Sequence, residues 1–78
     1  MNDATNKGRA MRGRAALIAY AEANVPWDFD SHSDQEDVIA DIITDLLHYA
    51  GQANLVPAII AARAVRSYKA EVYDDGTN

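Results

Sequence analysis

The sequence predicts a small all-α domain, three helices in a bundle-like arrangement, with dimerisation as a further expectation. Three observations predict it. Apolar residues recur at i, i+3 and i+4 spacing in three separate stretches, the signature of helices with one buried face. The breaks between them, Asn24-Val25-Pro26 and Gly51 to Pro57, carry residues that stop and start helices. At 78 residues the chain has room for one thin core, and with no cysteine it has neither disulfides nor thiolate metal sites to support it. Helix packing, with help from a second subunit, is what remains. The lack of cysteine also fits a reducing compartment.

Residues 1–8 are polar and without periodicity, and are expected to be disordered. The helical domain is expected over residues 9–73, with a polar tail at 74–78. The first helix, about 10–23, places Leu17, Ile18, Tyr20 and Ala21 on an apolar face, with Met11 and Ala15 about a turn earlier. Gly13 weakens it, and Pro26 ends it by disfavouring helix at Val25. The segment also imitates a signal peptide, with basic residues before Ala15–Ala21 and a small-x-small site at Ala21-Glu22-Ala23. The amphipathic helix is the better reading of it, and the chain is expected to be cytoplasmic. Between the first two helices, Trp27 and Phe29 are expected to tuck under the bundle while Asp28 and Asp30 face water.

The second helix, about 34–50, has the strongest signals. Ser33-Asp34-Gln35-Glu36 reads as a capping box. Asp34, Glu36 and Asp37 suit the positive end of the helix dipole. Val38, Ile39, Ile42, Ile43, Leu46, Leu47 and Ala50 cover about half its circumference. Gly51 is placed to close it as a left-handed cap. The third helix, about 57–72, begins at Pro57, where a missing N–H does no harm. Ile59, Ile60, Ala64, Val65, Tyr68 and Val72 form its apolar rows.

Charge is segregated along the chain, whose net value is −5. Residues 28–48 contain seven acids and no Lys or Arg, whereas the first 27 are mildly basic. Such an acidic molecule repels nucleic-acid phosphates and anionic membranes, and no apolar run reaches the roughly 20 residues a membrane span needs. Asp37, Asp41, Asp45 and His48 fall within about 80° of one another, on the side of the helix opposite its aliphatic residues. With Asp34 they form an acidic face, the expected partner-binding surface. Its carboxylates repeat about every 6 Å, close to the phosphate spacing of a nucleic-acid strand, so the face suits a basic protein. Arg9, Arg12 and Arg14 are a secondary basic contact.

Catalytic readings are weaker. Asp45 and His48 have the i, i+3 spacing of bundle metal ligands, and Asp41 adds an oxygen. A bundle metal site points inward, however, and a second ligand-bearing helix is missing. All-helical nucleotide pyrophosphatases likewise clamp Mg²⁺ between two carboxylate-bearing helices, and this chain has one. Ser31, Ser33 and His32 are explained by capping and loop roles, and no Gly-rich phosphate loop follows a strand. No metal or cofactor is therefore expected, and the chain is read as a non-enzyme. A small metal-dependent hydrolase built on Asp41, Asp45 and His48, or a nucleic-acid-associated regulator, is the alternative.

The run from Asp37 to Tyr49, followed by a short loop, Pro57 and a helix ending in Tyr68-Lys69-Ala70-Glu71, resembles small helical proteins of phages and other mobile elements, some of which are anti-CRISPR inhibitors. The resemblance covers roughly residues 15–72 and includes no catalytic motif. It implies an accessory protein whose partner is a host or defence protein. Where such chains often have an acidic or polar cap before the third-helix proline, this one has Val56.

Overall fold

The computed structural model describes residues 5–24 and 31–75, leaving aside the side chains of His32 and Asp75. Three helices follow in order: α1 (Asn6–Asn24), α2 (His32–Gln52) and α3 (Pro57–Asp75). No strand occurs among the described residues. The expected positions of Trp27 and Phe29 lie outside them.

Each helix departs from its expected limits for a local reason. α1 starts at Asn6, inside the stretch expected to be disordered. Thr5 caps it: its Oγ1 accepts from the Gly8 N–H at 3.1 Å, and its carbonyl accepts from the Arg9 N–H at 2.9 Å. At the other end the Asn24 side-chain amide donates to the Tyr20 carbonyl at 2.8 Å, covering one of the last turn's open acceptors. α2 is capped by Ser31 and not by Ser33. Two overlapping Ser-x-x-acid patterns compete here, and the earlier wins: the Asp34 N–H donates to Ser31 Oγ at 3.2 Å, and the Gln35 N–H to the Ser31 carbonyl at 3.0 Å. Thr44, inside α2, returns its hydroxyl to the Ala40 carbonyl at 2.8 Å.

The end of α2 also differs from expectation. Gly51 is an ordinary helical residue, and Asn54 takes the left-handed position with φ 64°. The Leu55 N–H reaches back to the Ala50 carbonyl at 2.9 Å, and the Asn54 N–H to the Gly51 carbonyl at 3.2 Å. This is a Schellman closure with asparagine in the position glycine usually takes. α3 follows at Pro57, and the Val56 carbonyl accepts from both Ile59 and Ile60 N–H groups at 3.1 Å. Valine provides no side-chain acceptor, so this start is formed by backbone alone. The helix continues to Asp75, through part of the expected tail.

Packing is concentrated in two places. Leu17 and Ala21 of α1 meet Val38 of α2, with Tyr20 and Ile42 half-buried around them. Ala21 has no exposed surface, and its small side chain lets the two helices approach closely. The second place is the α2–α3 turn, where Ala50 is buried and Pro57 lies against Gly51. α1 and α3 meet where the Asn6 side chain donates to the Glu71 carbonyl at 3.0 Å and Arg9 pairs with the Glu71 carboxylate at 3.5 Å. Gly8 is buried at that end of α1.

The expected apolar rows are only partly covered. None of the described side chains of α3 is buried, and Met11, which was expected on the buried face of α1, is exposed. Helices of 19 to 21 residues touch over short segments and leave space between them.

Candidate interaction face on α2

The acidic residues of α2 are arranged by helix periodicity and modified by one contact from α1. Asp37, Asp41, Asp45 and His48 are exposed, and Asp34 is half-buried in the first turn. No ion pair among the described residues engages Asp37 or Asp41. Asp45 is held differently. The Tyr20 hydroxyl of α1 donates to its carboxylate at 2.5 Å. Two turns separate Asp45 from Val38, which places them within about 20° around the helix. The acidic stripe therefore runs along the α1 seam at its Asp45 edge and is not wholly opposite the packed face, as the periodicity alone suggested.

The bond has an electrostatic signature. The Tyr20 phenol is pushed up from 10.0 to about 12, first by its hydrogen bond to Asp45, then by desolvation, then by the charges of Asp45 and Asp41. Ionising the phenol would replace a donor with an anion facing two carboxylates. Tyr20 is the site residue that sequence reasoning placed only on an apolar face. The signal that could have found it is the seven-residue interval between Val38 and Asp45, which puts a carboxylate beside a core position.

The three arginines of the basic cluster are placed differently. Arg9 is a tie between helices: it pairs with Glu71 and donates to the Asn6 side-chain oxygen at 2.8 Å. Arg12 and Arg14 are exposed, and Arg14 borders a groove between α1 and α2. That groove, about 560 Å³, is lined chiefly by Ala10, Gly13, Leu17, Ile39 and Ile42. Apolar carbon dominates it, and no charged cluster suited to catalysis converges there.

Among the described residues no three His, Asp or Glu side chains come together to hold a metal ion. Asp41, Asp45 and His48, although suitably spaced in sequence, do not form such a group. No described helix is long and apolar enough to cross a membrane. No protein-family model matches the chain, and neither does any curated protein or solved structure.

Proposed function

We propose that this chain is a non-enzymatic protein-interaction module that binds a basic, nucleic-acid-binding protein through the acidic face of α2. In its sharpest form it is a phage or mobile-element inhibitor acting in the cytoplasm on a host defence complex such as a CRISPR effector. The observation that carries the reading is the pair Asp37 and Asp41, both exposed, one turn apart and engaged by no ion pair among the described residues. Carboxylates in a row with no internal counter-charge suit a cleft lined by Lys and Arg, which ordinarily holds phosphates. Asp34 and His48 extend the row, and Asp45 contributes at its Tyr20-bonded edge.

Affinity capture from the native host, with and without a competing oligonucleotide, tests this reading. Wild-type protein should retain a nucleic-acid-binding protein at low salt and release it to the oligonucleotide or to high salt. The double reversal Asp37→Lys with Asp41→Lys should lose that protein. Capture that is indifferent to both salt and charge reversal would show that another surface is responsible.

A further inference from the structure

We infer that α3 is a hinged arm, which turns about Asn54 and is latched at its far end by the contact of Asn6 and Arg9 of α1 with Glu71. α3 is covered at its two ends and not between them. Pro57 and Ala61 are half-buried near its root, and Glu71 and Val72 near its end. The nine residues from Ala62 to Ala70 are all exposed. Nine residues make about two and a half turns, so every side of the helix is open there, the apolar side included. Val65 and Tyr68 share an arc of about 60° with Ala61 and Val72, yet they are 54% and 51% exposed. A helix packed along a neighbour would hide that row. Few buried apolar contacts and a backbone open to water mark a segment that moves on its own.

The root of the arm is a single corner. α2 closes with the Leu55 N–H on the Ala50 carbonyl at 2.9 Å, and Asn54 carries the change of direction at φ 64°. The Val56 carbonyl then starts α3 with no side-chain acceptor to fix it. Hinges are a few residues at element ends that absorb a backbone rotation. Asn54, Leu55 and Val56 are such residues, and all three are exposed.

The far end is held by polar contacts. The Asn6 side chain donates to the Glu71 carbonyl at 3.0 Å, and Arg9 pairs with the Glu71 carboxylate at 3.5 Å. No other ion pair or side-chain hydrogen bond ties a described residue of α3 to α1 or α2. The side chains of the ion pair are 33% and 40% exposed, so water and salt compete for it.

Leverage makes the latch sensitive. Glu71 stands about 21 Å from Pro57 along the helix. At that distance a turn of about 10° at the root displaces Glu71 by about 4 Å, which parts both contacts. The turn needs no loss of helix. It leaves the α1–α2 seam of Leu17, Ala21 and Val38 in place. The latch does not depend on what the acidic row of α2 binds.

Amide hydrogen exchange and spin-label distances on the full chain test the hinge and the latch together. Arg9→Glu sets two carboxylates against each other and should speed exchange over residues 60–72 about fivefold, with residues 17–21 and 38–45 unchanged. The reciprocal swap, Arg9→Glu with Glu71→Arg, should restore the wild-type rate. The chain has no cysteine, so Thr44→Cys and Ser67→Cys place one nitroxide on α2 and one on α3. Arg9→Glu should broaden the distance between them while helical circular dichroism is kept. Exchange that rises equally in all three helices would make Arg9 a general stabiliser and overturn the latch. Exchange in α3 that is unchanged or slower overturns it too. A distance that stays narrow while α3 exchange rises means fraying without rotation, and overturns the hinge.

Discussion

Asn54 directs α3 away from α2 through a single backbone angle. Its φ of 64° lies in the left-handed region, where most side chains crowd the backbone. Asparagine tolerates that region better than alanine, and glycine better still. Asn54→Ala is expected to destabilise the fold by about 1 kcal/mol, whereas Asn54→Gly should be neutral or slightly stabilising. Urea unfolding of the two variants checks the pair. Tyr20 has a different sensitivity. Its folded phenol titrates near 12 against an ordinary 10.0, because the bonded neutral form faces Asp45 and Asp41. The raised value means that its contribution to stability is complete below pH 10 and is lost as pH climbs from 10 to 12. Absorbance near 295 nm should show one of the four tyrosines ionising late. Asp45→Asn should bring that late step back toward 10.

The existence of three helices was legible because α2 and α3 carry long, regular apolar rows, while α1 has a shorter one, Leu17 to Ala21, behind Gly13. Their ends were less legible. Ser31 and Ser33 both precede an acid by three residues, and nothing local decides between them. Thr5 lies in a polar stretch that looks featureless until its hydroxyl is seen to cap Gly8. Gly51 drew the left-handed cap by residue type, but Asn54 occupies it, directly before the Leu55–Val56–Pro57 corner. Val56 leaves the start of α3 without a side-chain acceptor, as its residue type implied. Val56→Ser should stabilise the protein by about 1 kcal/mol, measurable as a shift in the urea midpoint. The acidic row offers a sharper test. Asp41 stands one turn from both Asp37 and Asp45, and like charges at that spacing cost about 0.2–0.5 kcal/mol each. Asp41→Asn should raise stability by about 0.5 kcal/mol while weakening capture of the basic partner. A gain in stability with capture unchanged would mark the row as merely solvated.

At the scale of the whole molecule, sequence pattern identifies which residues can be buried but not which of them are. Ile59, Val65 and Tyr68 have the spacing of a core-facing row, yet all three are more than half exposed. Burial depends on where the neighbouring helix passes, and α1 and α3 meet through Asn6, Arg9 and Glu71 near their ends and not along their length. The row Asp37, Asp41 and Asp45 was legible for the converse reason: charge segregation is a linear property, and i, i+4 spacing keeps these three on one side, while Glu36 falls in line with Ile43 and Asp45 borders the α1 seam.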